Sequence, residues 1–107
     1  MDEKLKQLAL HYGFTNQADM LVEESAEFAV VRNKLRRGNT EAIKQMEEEL
    51  ADVLVVALQL RHIIGEEYID SIMNEKINRQ LERMKEENEN DSENTGKSLC
   101  NLWKHNS

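Results

Sequence analysis

Two carboxylate pairs hold the chemistry this sequence could perform: Glu24 with Glu27, and Glu49 with Asp52. Residues three apart on a helix lie on one face, so each pair presents its oxygens together. Neither pair belongs to a polar face. Leu21, Glu24, Phe28, Val31 and Leu35 step by 3, 4, 3 and 4, and Glu49, Asp52, Val56, Leu60 and Ile63 step by 3, 4, 4 and 3. That is the spacing of packing seams. A carboxylate in such a seam loses hydration, and two side by side repel, unless a cation is held between them. Oxygen-only donors select a hard cation, Mg²⁺ or Mn²⁺, over zinc or copper.

A hairpin turning at Gly38 would bring the pairs together. Glu24 and Glu27 precede Gly38 by 14 and 11 residues, and Glu49 and Asp52 follow it by 11 and 14. In an antiparallel hairpin the four side chains then meet at one level. Four carboxylates at one partly buried spot must either bind protons more tightly or be neutralised by a cation. One ExxE on a helix is usually a solvated face. Two such pairs, both on seams and symmetrical about a turn, point to a metal site. The neighbouring Glu23, Glu47 and Glu48 read as solvated or supporting groups.

The elements that must position these residues are all helices. Leu5, Leu8, Ala9 and Tyr12 mark one face of a short first helix, ended by Gly13. Thr15 or Asn16 can cap a second helix, running to about Arg37 with basic residues at its negative end and Gly38 closing it. Asn39-Thr40 is the expected cap of a third helix, which continues to Ile64 and stops at Gly65. The Val-rich run Leu50 to Leu60 follows a Glu-rich lead-in with no intervening turn residue, so it reads as helix and not strand. A fourth helix runs from about Glu66 to the late 80s, with Ile69, Ile72, Met73, Ile77, Leu81 and Met84 as its buried side. Residues 1–87 form the helical domain and 88–107 an acidic tail. ENENDSENTG reads as a disordered linker, and Leu99, Leu102 and Trp103 stand at the spacing of a short docking turn.

The double motif resembles the MazG-like, all-α nucleoside triphosphate pyrophosphohydrolases. It reads Glu23-Glu24-Ser25-Ala26-Glu27, then Glu48-Glu49-Leu50-Ala51-Asp52-Val53-Leu54, and the likeness covers roughly residues 5 to 86. The resemblance implies an all-α, four-helix bundle completed by dimerisation or as a dimer of dimers. It implies Mg²⁺, or Mn²⁺, held by Glu24, Glu27, Glu49 and Asp52. The implied reaction is hydrolysis of a (deoxy)nucleoside triphosphate to monophosphate and pyrophosphate, in the service of nucleotide-pool cleansing. Bound Mg²⁺ would orient the phosphates and offset developing charge, with Glu24 or Glu27 as general base.

Further contacts are expected from basic and amide side chains. Lys76, Arg79 and Arg83 form one cationic stripe on the fourth helix. Lys76-Ile77-Asn78-Arg79 looks like the Lys/Asn/Arg cluster the family carries there, which assigns Lys76, Asn78 and Arg79 to substrate binding. A stripe paired with Glu75, Glu82, Glu86 and Glu87 is the structural alternative. Tyr12-Gly13-Phe14 with Gln17 resembles a stretch before the first motif, and Gln17 could reach a base edge. His11 and His62 read as structural or exposed.

Composition narrows the rival readings. The net charge of −7 disfavours a nucleic-acid backbone as partner. The single cysteine, Cys100, leaves no disulfide or Cys-based zinc site within the chain. The first ten residues lack the apolar core of a signal peptide, and Leu50–Leu60 is too short for a membrane span, so the expected compartment is the cytoplasm. A ferritin-type di-iron site needs Glu-x-x-His, and no histidine here follows a glutamate by three. Two alternatives remain: a dimeric helical protein whose acidic seam binds a partner, and a pyrophosphohydrolase of another nucleotide such as phosphoribosyl-ATP.

Overall fold

The computed structural model describes residues 2–93. Three helices account for nearly all of them: α1 (Asp2–Arg36), α2 (Ala42–Ile64) and α3 (Glu66–Glu93), with no strand among the described residues. The fold class is therefore all-α. The first and second helices expected from sequence are run together as α1, across a break at Gly13. Gly13 has φ 78° and ψ 177°, a backbone conformation open to glycine and costly for any residue with a Cβ. Asn16 does not cap the following segment. Its Nδ2 instead donates to the Tyr12 carbonyl at 2.8 Å, satisfying an acceptor at the break.

The turn between α1 and α2 is built as anticipated at its first end and differently at its second. Gly38 has φ 94°. Its N–H donates to the Leu35 carbonyl at 2.9 Å, and that of Asn39 to Lys34 at 3.1 Å. This pair of bonds is a Schellman closure, which needs a left-handed residue at Gly38. The expected Asn39-Thr40 side-chain cap is absent. Glu41 occupies the N-cap position in helical geometry with no side-chain bond, and Ala42 and Ile43 donate to the backbone carbonyls of Asn39 and Thr40, each at 3.2 Å. A tight backbone turn has met the donors that the side chains would otherwise serve.

Residues up to Ile69 and residues from Asp70 onward are separate units. In the first, α1 and α2 pack along one another as an antiparallel hairpin. Its buried apolar groups are Ala9, Val31, Ala42, Val56 and Leu60. Val31, Val56 and Leu60 belong to the two seams read from the spacing. Gly65 ends α2, donating to the Arg61 carbonyl at 3.0 Å, and its own carbonyl accepts from Ile69 at 3.0 Å to open α3. Glu66 stands in the first turn of α3, its Oε1 3.4 Å from Arg61 Nη1 and 3.6 Å from His62 Nδ1. Negative charge is favourable at that helix end.

Large apolar side chains remain uncovered. Leu50, Leu54 and Leu58 form an exposed row along α2, and Val22 and Val30 are exposed on α1. From Asp70 on, the expected buried stripe of α3 is present in sequence order but not covered: Met73, Ile77, Leu81 and Met84 are 44–49% exposed. Their spacing marks one helix face, and burial needs something laid against that face. Helix α3 also extends to Glu93, into the stretch read as a linker. No glycine or proline falls within that span. The docking turn anticipated at Leu99, Leu102 and Trp103 lies outside the described residues.

Candidate metal centre

The hairpin brings the carboxylates together as their distances from Gly38 require. Glu24 on α1 and Glu49 and Asp52 on α2 each offer an oxygen, and these oxygens lie within 4.8 Å of one another. Glu27 stands beside them, close enough for its charge to act on Glu24 and for its carboxyl to share a hydrogen bond with Glu49. The four are not equivalent. Glu24 and Glu49 are half-buried, whereas Glu27 and Asp52 are exposed. The cluster therefore has an inner pair and an outer pair, one of each from either helix.

The inner pair is electrostatically unsatisfied. Glu24 Oε2 and Glu49 Oε2 are shielded from solvent and meet no hydrogen-bond donor. Buried polar atoms are nearly always paired, so two orphaned oxygens at one place need an explanation. Their titration reflects the same shortage. Loss of hydration raises the Glu24 carboxyl to about 7, and the charges of Glu27, Asp52 and Glu49 act in the same direction. Glu49 is raised first by loss of hydration, then by the hydrogen bond and charge of Glu27 and by Asp52, while its hydrogen bond with Glu24 opposes the rise. Without a cation, Glu24 and Glu49 relieve the repulsion by holding protons more tightly. A cation would supply the missing positive partner, and the donor set of carboxylate oxygens fits a hard divalent ion.

The other residues singled out by sequence fall in two places. Gln17 lies in the hairpin and is buried: its Nε2 donates to Gln59 Oε1 at 2.6 Å. A contact from Gln17 to a base edge would require this pair to part. Lys76, Asn78 and Arg79 lie on α3 beyond Asp70. Lys76 and Arg79, with Gln80 and Arg83, line a recess of about 140 Å³, and Asn78 is exposed on the same helix. Sequence reasoning missed Gln59. The available signal was a polar residue within the apolar run of α2, standing as far after Gly38 as Gln17 stands before it. His11 packs edge-on against Tyr12 with ring centroids 4.7 Å apart, and His62 belongs to the Glu66 ion-pair group.

Comparison with known protein families, curated proteins and solved structures gives no match to this chain. No helix among the described residues is long and apolar enough to cross a membrane.

Proposed function

We propose that this protein is a Mg²⁺-dependent pyrophosphohydrolase of a nucleoside triphosphate, with Glu24, Glu27, Glu49 and Asp52 as its metal-holding residues. One observation carries the reading. Two helices bring oxygens of Glu24, Glu49 and Asp52 within 4.8 Å of one another, with Glu27 beside them, and Glu24 and Glu49 each have a buried oxygen without a donor. A solvated acidic face has no such orphans. The resemblance of the two motifs to the MazG-like enzymes supplies the reaction class.

Each residue has a physical task in this reading. Bound Mg²⁺ would supply the positive charge that an acidic cluster needs to accept a triphosphate and would offset charge on the phosphate oxygens. Glu24, Glu49 and Asp52, with Glu27 beside them, would hold the cation. Water adds across the α–β phosphoanhydride, giving a monophosphate and pyrophosphate. The proton released goes to a carboxylate. Glu24 or Glu27 would accept it as general base. Lys76, Asn78 and Arg79 are the phosphate-binding candidates that the resemblance names. Self-association covers Leu50, Leu54 and Leu58 on α2 and the apolar stripe of α3, because a hairpin with so few buried side chains has a small core of its own. The compartment that fits this function is the cytoplasm.

The test is product analysis. A panel of ribo- and deoxynucleoside triphosphates is incubated with Mg²⁺ and followed by ³¹P NMR. The reading predicts monophosphate and pyrophosphate in equal amounts for at least one nucleotide, and none in EDTA. Diphosphate with inorganic phosphate, or no turnover across the panel, would reject it. A protein that binds a partner through its acidic seam would show neither turnover nor a response to metal.

A further inference from the structure

We infer that the buried Gln17–Gln59 pair is a positioning device that fixes the register of α1 on α2 and so holds the four carboxylates at one level. The inference rests on the cation-site reading only for its functional consequence. Its structural content is independent.

Gln17 and Gln59 are the buried polar side chains among the described residues, 5% and 2% exposed. Their 2.6 Å hydrogen bond spans the two helices. The Gln59 amide is oriented at both ends: Nε2 donates to the Val55 carbonyl at 3.2 Å, and Oε1 is thereby turned to Gln17. The apolar neighbours Val56 and Leu60 are buried alongside. Sliding α1 by one helical turn would set Gln17 against an apolar side chain and leave both amides without partners in a dry interface. A buried polar pair of this kind discriminates against alternative registers, as a single polar core residue does in coiled coils.

The position of the pair gives that discrimination a purpose. The Gly38 turn pins the hairpin at one end. Gln17 and Gln59 each stand 21 residues from Gly38, about 30 Å along the helices. The level of Glu24 and Asp52 lies between, seven residues from the pair on each helix, or about 10 Å. Like charges in the middle of the hairpin push α1 and α2 apart, and the amide pair resists them on the side the turn does not reach. Glu24 must be opposite Asp52, and Glu27 opposite Glu49, for one ion to touch both helices. A one-turn slide destroys that opposition.

The experiment measures helix register without metal, then metal affinity. In a Cys100→Ser background, cysteines replacing exposed Asp19 and Gln45 carry nitroxide labels, and labelled chains are diluted with unlabelled ones. Pulsed dipolar EPR then gives the intrachain distance for the parent and for Gln17→Leu/Gln59→Leu. Leucines in place of a matched polar pair leave the hairpin folded, which a thermal melt checks. The expected result is one narrow distance in the parent and a broadened or split distribution in the double variant, with Mn²⁺ affinity weaker by about tenfold or more. A distribution as narrow as the parent's, at the same distance, would overturn the inference. If the parent binds no Mn²⁺, the cation reading fails, and the distance distributions alone still decide the positioning role.

Discussion

Metal binding at the carboxylate cluster should depend on pH through Glu24. The perturbation is a change from pH 8 to pH 6. In the metal-free protein Glu24 keeps its proton up to about pH 7, because burial and the charges of Glu27, Asp52 and Glu49 disfavour the anion. A ligand must be deprotonated, so cation and proton compete for this group. For one competing proton at about pH 7, apparent affinity is nearly full at pH 8, halved at pH 7 and about elevenfold lower at pH 6. Between pH 8 and pH 6 the dissociation constant should therefore rise about tenfold. Isothermal titration with Mn²⁺ in buffers of different ionisation enthalpy measures both affinity and proton release. Close to one proton per ion should be released at pH 6 and close to none at pH 8. Glu24→Gln should bind more weakly at every pH and lose most of this dependence. An affinity that is the same at pH 6 and pH 8, with no proton released, would refute the argument.

Other consequences follow from the same contacts. The Glu24 carboxyl binds its proton more tightly folded than unfolded, so metal-free stability should fall as pH rises from about 4.5 to about 7. Mg²⁺ should reverse that trend in thermal melts at pH 8, contributing about 2.7 kcal/mol at a hundred times its dissociation constant. Glu49→Gln removes one orphaned oxygen and brings an amide donor to the other, on Glu24, so it should raise the metal-free Tm at pH 8 and abolish the gain from Mg²⁺. Gly38→Ala forces a Cβ into the left-handed turn at φ 94° and should cost about 1 kcal/mol in urea unfolding without changing metal stoichiometry. Leu54→Glu places a charge in the exposed apolar row of α2 and should shift the protein towards monomer in light scattering, with the melt retained.

The helices and the candidate site were largely legible because both depend on local spacing. Glycines at 13, 38 and 65 break a chain without proline, and the structure breaks or turns at all three. The equal distances of the carboxylates from Gly38 follow from the regular rise of two antiparallel helices, so their convergence needed only the turn to form. Burial was less legible. The stripe Met73, Ile77, Leu81 and Met84 states which side of α3 is apolar, but spacing cannot say what covers it. The inequality within each carboxylate pair, half-buried Glu24 and Glu49 against exposed Glu27 and Asp52, depends on the rotation of each helix about its axis. The Gln17–Gln59 bond was hidden for another reason: a lone glutamine in an apolar run is informative only once its opposite number is known.

A crystal grown with Mn²⁺ at pH 8 shows whether a cation sits among the carboxylates. Anomalous scattering at the manganese edge locates the ion independently of any assumption about its ligands. The expected peak lies between α1 and α2, bounded by the carboxylate oxygens of Glu24, Glu49 and Asp52 with Glu27 alongside, and is absent in Glu49→Gln. Manganese found only elsewhere on the surface, or an occupied cluster unchanged by that substitution, would contradict it.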